Sequence, residues 1–156
     1  MSKYASKTSV TVEKSVAEIQ RILTRWGADG FGYFTQGNRA MVQFSKNNKV
    51  IKFMLQMPDR KSDEIALTHY GYDRTAAAVE KAWDQACRQR WRALALIVKA
   101  KLEAVDSGIV TFEAEFMAHI QLADGRTVGD IVLPEIDKAI SLGKAPKTLL
   151  LGGIDE

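Results

Sequence analysis

Four cationic side chains recur on one side of a segment predicted to be helical, and such a row is suited to phosphate groups. They are Lys81, Arg88, Arg92 and Lys99. At 100° per residue they fall within about 40° of one another, with spacings of roughly 10 Å and 6 Å along the axis. Each phosphate that a cation neutralises releases condensed counterions. The column therefore predicts salt-dependent binding of DNA or RNA without sequence preference.

The same column has a second interpretation, as the solvated face of an amphipathic helix. Trp83, Cys87 and Leu94 belong to an apolar stripe that is typical of a core-facing helix side. Arg90 and Lys101 project into this apolar arc, so they must either reach its edge or find acidic partners in residues 102–156. The pattern alone leaves both interpretations open.

A predicted sheet offers a second basic surface. In one register its polar face carries Arg39, Met41, Gln43, Lys52, Met54 and Gln56. Basic and amide side chains on a sheet are typical of platforms for single-stranded nucleic acid. Only Phe31, Tyr33 or Phe34 could supply a stacking ring there, so cover by the second half of the chain or by a partner subunit is the favoured alternative.

Catalytic, metal and cofactor chemistry finds little support in the residue types. Gly27, Gly30 and Gly32 are not preceded by a strand and do not open a helix, which excludes a dinucleotide loop. Glu115 and His119 lie one helical turn apart, but no third metal ligand has matching spacing. Cys87 lies on the apolar stripe and is interpreted as a core residue. We therefore expect no enzyme activity, no metal and no cofactor.

Charge is distributed unevenly along the 156 residues. The net charge is +3, yet residues 1–101 hold eighteen Lys and Arg against nine Asp and Glu, and residues 102–156 hold four against ten. This asymmetry indicates either an anionic partner, self-association, or neutralisation of one half by the other. A single cysteine, a polar start and no apolar run of about 20 residues favour a cytoplasmic protein without a membrane span.

The periodicities predict an α+β protein with a sheet in its first part. Residues 1–58 read as a β-α-β-β-β unit with one packed helix, in which a strand over 8–12 precedes a helix capped by Ser15 and Glu18 and ended by Gly27. Strands are predicted over 31–35, 39–44 and 49–57. The inward face of the last two is predicted to be Ala40, Val42, Phe44, Ile51, Phe53 and Leu55.

The second part is predicted to be mainly helical. Residues 59–73 form a polar loop or linker, and residues 74–156 contain a long amphipathic helix, shorter helices and a small hairpin, packed as one domain. Asp73 is the predicted cap of the long helix, which runs to about Ser107 unless it breaks near Cys87. A helix capped by Thr111, a hairpin turning at Asp124 and a weak helix over 129–142 complete the chain.

Three segments carry a resemblance to small uncharacterised proteins of bacteriophages and prophages. They are Ala86–Leu94, Lys99–Val105 and Asp124–Gly129. The resemblance implies a phage context, in which genes of this size serve DNA replication and recombination or blunt host defences. No activity and no ligand residue follow from it.

Three functional hypotheses follow. The first is a non-enzymatic phage-type accessory protein that binds nucleic acid through the helix column, helped by Arg39 and Lys52. The second is a protein-binding inhibitor, such as an anti-defence factor, that uses the sheet face or the acidic region 102–156 against a host complex. The third is capture of a small nucleotide between protomers by Arg60, Lys61 and residues 69–72. Homo-oligomers are compatible with each.

Overall fold

The computed structural model describes residue 5 and residues 7–144. It shows an α+β fold in which a three-stranded antiparallel sheet is combined with helices. The elements in chain order are α1 Val12–Trp26, β1 Gly30–Gln36, β2 Arg39–Lys46, β3 Lys49–Gln56, α2 Asp63–Ala66, α3 Ala76–Asp106, α4 Phe112–Phe116, a 3-10 turn Met117–His119 and α5 Val128–Leu142.

The predicted N-terminal strand is wrong, because this segment leads directly into α1. The Thr11 side chain accepts a hydrogen bond from the Lys14 amide and caps a helix that begins at Val12. The apolar positions Val12 and Val16 continue the helical stripe backwards, so the short alternation over 8–12 was not a strand. The predicted cap at Ser15 is wrong too, since Ser15 is fully buried inside α1. Gly27 ends the helix with φ +87°, as predicted.

The three-stranded sheet is confirmed, and two tight turns join its strands. Asn47 and Asn48 both have positive φ, which matches the right-handed twist of a two-residue hairpin. The strands pair in the order β1-β2-β3. Ala40, Val42 and Phe44 of β2 and Ile51 and Phe53 of β3 are buried, and Leu55 packs partly buried against them, so the predicted inward face is confirmed.

Helix α3 is continuous over 31 residues, which confirms the long helix without a break near Cys87. Its cap is Thr75 and not Asp73, because the Thr75 side chain accepts from the Ala78 amide. Asp73 instead pairs with Leu67 in an isolated bridge. The segment before α3 is more than a polar loop, since α2 buries Ile65 within it.

A single buried cluster joins the sheet to α1, α3 and α4. Phe116 is fully buried and its ring meets the rings of Phe44 and Phe53 edge-on, at 5.5 and 6.4 Å between centroids. Trp91 of α3 makes a similar contact with Tyr33 at 6.0 Å. The core therefore lies between the inward sheet face and the helices.

The C-terminal elements follow the predicted order. Thr111 caps α4, and the hairpin closes through the bridge between Gln121 and Thr127 with Gly125 at φ +84°. The chain also extends the sheet edge, because Ile120 bridges Ile51. The tail after residue 144, with its predicted leucine run, lies outside the described residues.

Candidate interaction surfaces

The basic column of α3 is not an open strip, which corrects the geometry predicted for it. Arg92 forms an ion pair with Glu18 of α1, and the two side chains are only 24% and 22% exposed. Arg88 donates from Nε and Nη2 to the Gln85 side chain at 3.1 and 2.6 Å. Lys81 and Lys99 are exposed and make no ion pair within the described residues. The column is therefore interrupted at its two middle members.

The buried arc on α3 is centred closer to the cations than predicted, which explains why the middle of the column is covered. Trp91 and Leu102, which the periodicity places at the flank of the stripe, are buried, and so is Ala95 beyond them. These residues shift the centre of the arc toward the cations, so the column lies at the flank of the core and not opposite it. Helix α1 packs along this flank and covers the middle of the column. The acidic C-terminal region, the other candidate for neutralisation, instead supplies Glu115 to Lys101 at 2.7 Å.

The outward sheet face is open at one end and covered at the other. Lys52 Nζ donates to the Gly125 carbonyl at 2.6 Å, and Gln43 donates to the Gln121 side chain, so the hairpin covers this end. At the other end Phe34, Met41 and Met54 are register partners in one row across the three strands. Phe34 and Met54 are 56% and 57% exposed. Up to residue 144, the second half of the chain does not cover this row, although its hairpin covers the other end of the same face.

The open row contains one aromatic ring. Phe34 is the member of the three candidate rings that lies on the outward face, while Phe31 and Tyr33 lie opposite the buried Phe44 and Val42. Arg39 lies on the same face, two residues before Met41 on β2. It is exposed and makes no ion pair in the described part of the chain. We name the surface formed by Phe34, Arg39, Met41 and Met54 the sheet row.

Helix α5 is the least covered long element. Its only buried residue is Gly129, and its main packing contact is with the 3-10 turn. Leu133 and Ile140 are 56% and 73% exposed, and Ile136 is exposed between them. These three lie at i, i+3 and i+7, which places them on one side of the helix. We name them the α5 stripe.

The start of α5 is well defined despite this exposure. Thr127 and Asp130 form a capping box, and the hydrogen bond from the Thr127 amide holds the pKa of Asp130 below its ordinary value. Gly143 ends the helix with φ +62°. The sequence suggested only a weak helix here because Pro134 lies inside it. The capping box and the spacing of the α5 stripe are the sequence signals that identify this helix.

The residues considered for catalysis do not form a site. Burial raises the pKa of the Cys87 thiol, so this group stays protonated near neutral pH. Burial, followed by the charge of Lys101, lowers the pKa of His119, whose ring packs on Phe53 at 4.2 Å. Over residues 5 and 7–144 no cluster of three or more His, Cys, Asp or Glu side chains is suited to a metal ion.

The residues considered for nucleotide capture are partly engaged within the chain. Arg60 stacks on Trp83 at 3.5 Å and pairs with Glu80 through two hydrogen bonds. Tyr70 and Tyr72 are exposed in the loop before α3. A groove of about 480 Å³ lies nearby, between the start of α1, the first hairpin and α3. Its lining is mixed, with Trp83 and Met57 beside Asp84, Glu13 and Arg88, so it does not favour an anionic ligand.

Comparison with protein-family models, with curated proteins and with solved structures found no match to this chain. The phage resemblance therefore stays a prediction. No helix within the described residues has both the length and the apolar character that a membrane span requires.

Proposed function

We propose that this protein acts by binding another protein, and that α5 is the element that binds. The observation that carries this proposal is the α5 stripe, which leaves Leu133, Ile136 and Ile140 in solvent on one side of a capped helix. Contiguous exposed apolar side chains with a polar border are typical of interaction sites. Recognition of an amphipathic helix by its i, i+3 and i+7 positions is a common binding mode.

The physical cost of leaving α5 uncovered supports the same proposal. A helix of 15 residues gains little stability in water from its own hydrogen bonds, and most helices in proteins depend on a packed apolar face. The contact of α5 with the 3-10 turn uses Gly129, near the first turn. A partner that covers the stripe would supply the missing burial along the rest of the helix. Inhibition of a host complex is one form that this function would take in a phage context.

A photo-crosslinking experiment tests the role of α5. A photoreactive phenylalanine analogue at Leu133 or Ile140 is expected to give a discrete protein adduct in a nuclease-treated bacterial lysate. The same group at Ser141, about 110° from the centre of the stripe, is the matched control and is expected to give little adduct. A second substitution, Ile136→Glu, should lower the yield at Ile140 more than tenfold, because a buried anchor contributes about 2 kcal/mol or more. Equal yields from all three positions, or no adduct at all, would contradict the proposal.

Nucleic-acid binding is a second candidate, supported by exposed cations that the described part of the chain leaves without an ion pair. Lys81, Lys99 and Arg39 are exposed and lack ion pairs among the residues that the structure describes. Two or three such contacts would weaken binding about 10- to 40-fold between 50 and 200 mM salt, since each phosphate contact adds about 0.9 to the salt slope.

Titration of single- and double-stranded oligonucleotides at two salt concentrations measures this slope. The double variant Lys81→Gln and Lys99→Gln should reduce it by about 2. Arg92→Gln is the matched control on the same helix and should leave the slope unchanged, because Arg92 is already paired with Glu18. Undetectable binding at low salt, or binding that salt does not affect, would exclude this second function.

A further inference from the structure

We propose, building on the docking role of α5, that its partner is a second copy of this chain. In this arrangement the α5 stripe of one copy lies on the sheet row of the other. Three features of the described surface support the second copy: an apolar match, a charge match, and two exposed ionic groups that have no ion pair with any described residue.

The apolar parts of the two surfaces have similar dimensions. Phe34, Met41 and Met54 form one row across three strands, which spans about 10 Å at the ordinary strand spacing. The stripe from Leu133 to Ile140 also extends about 10 Å at 1.5 Å per residue. Methionine side chains adapt their shape to an incoming apolar face. Docking would therefore remove both exposed apolar surfaces from water at once.

The charges of the two surfaces are opposite in sign. The sheet row carries the exposed cation Arg39 and no carboxylate, whereas Lys52 lies at the end of the sheet that the hairpin covers. On the side of the stripe α5 carries Asp137, whereas Glu135 lies on the far side of the helix and pairs with Lys138, and Asp130 is held in the capping box. Opposite potentials across an interface favour the correct orientation and speed its formation.

Arg39 and Asp137 are the pair that the dimer would bring together. Each is exposed, and neither has an ion pair in the part of the chain that the structure describes. Asp137 borders the α5 stripe, about 40° from Leu133 on the helix. Arg39 lies one row beyond Met41 on the same sheet face. Contact of the stripe with the sheet row therefore places these two groups at the edge of the same interface.

Two copies can exchange this contact reciprocally. The helix and the sheet row are different surfaces, so a one-sided contact would propagate along a filament, whereas mutual exchange closes a two-fold dimer. Reciprocal exchange doubles the area that one helix-to-sheet contact buries, which favours a closed dimer because stable interfaces bury about 1,200–2,000 Å². In the single chain α5 packs on the 3-10 turn through Gly129, and its own Phe34 and Met54 stay exposed.

The test is sedimentation of the full chain over a concentration series, with charge-reversed variants. The native chain should form a dimer of twice 17.3 kDa. Arg39→Glu and Asp137→Arg should each raise the dissociation constant at least tenfold. An equimolar mixture of the two variants should restore the dimer, because both contacts of the mixed pair again join opposite charges. Arg21→Glu, a reversal of an exposed cation on α1 outside both surfaces, is the control and should leave the dissociation constant of the dimer unchanged.

The possible results separate this inference from the docking role of α5. A chain that stays monomeric, a dimer that neither reversal weakens, or a weakened dimer that mixing fails to restore would each overturn the inference. A monomer that still gives crosslinks from Leu133 to a different protein would leave the docking role intact and exclude only the second copy. Oligonucleotide binding that Arg39→Glu abolishes in a monomeric chain would assign the sheet row to nucleic acid and overturn the inference as well.

Discussion

Replacing Phe116 with alanine is expected to lower the free energy of unfolding by about 3–5 kcal/mol. The side chain is fully buried, and its ring contacts Phe44, Phe53 and Phe112 at 5.5, 6.4 and 5.1 Å between centroids. The substitution removes apolar surface from the core and leaves a cavity between α4 and the sheet. Because small domains are stable by only about 5–15 kcal/mol, this is a large share of the total.

Denaturant unfolding followed by circular dichroism measures this loss, and thermal unfolding should show a decrease of about 10 °C or more. Tyr70→Ala is the matched control, since this aromatic side chain is 83% exposed in the loop before α3. Its effect should stay within about 0.5 kcal/mol. A loss at Phe116 no larger than the loss at Tyr70 would show that α4 does not belong to the core.

The sheet could be predicted because its signals are local. Two turns of two residues separate β1, β2 and β3, and alternating residues define which face is buried. The strand expected over 8–12 failed for a reason that is also local. Five alternating residues are too few to distinguish a strand from an extended segment that leads into a helix. The structure decides between the two, because Thr11 caps α1.

The candidate site was less predictable because it depends on which elements meet. The periodicity of α3 places Lys81, Arg88, Arg92 and Lys99 on one side, and this much is correct. It contains no information about α1, whose Glu18 pairs with Arg92. The exposure of Leu133 and Ile140 is equally invisible in the pattern, because an amphipathic stripe looks the same whether or not another element covers it.

Replacing Gly129 with alanine is expected to destabilise the attachment of α5, although alanine is normally the better helix former. In a helix interior Gly→Ala adds about 1 kcal/mol of stability. Here a Cβ at Gly129 would lie 2.8 Å from the Ala118 carbonyl oxygen, closer than real contacts allow. Forcing an extra carbon into a packed contact costs about 1–3 kcal/mol, and backbone at Ala118 cannot move aside as a flexible side chain would. The clash therefore outweighs the helix propensity, and the net loss should be up to about 2 kcal/mol.

Hydrogen exchange of α5 together with global unfolding measures this effect. Gly32→Ala is the control, because a Cβ there meets nothing within 4 Å and the same atoms are added without a clash. We expect hydrogen exchange along α5 to become faster in Gly129→Ala and to stay unchanged in Gly32→Ala. Dimer formation or the crosslink yield should also decrease in Gly129→Ala, because a displaced helix no longer holds Leu133 and Ile140 in the binding position. If Gly129→Ala instead stabilised α5 while association persisted, the 3-10 turn would not be what positions the binding helix.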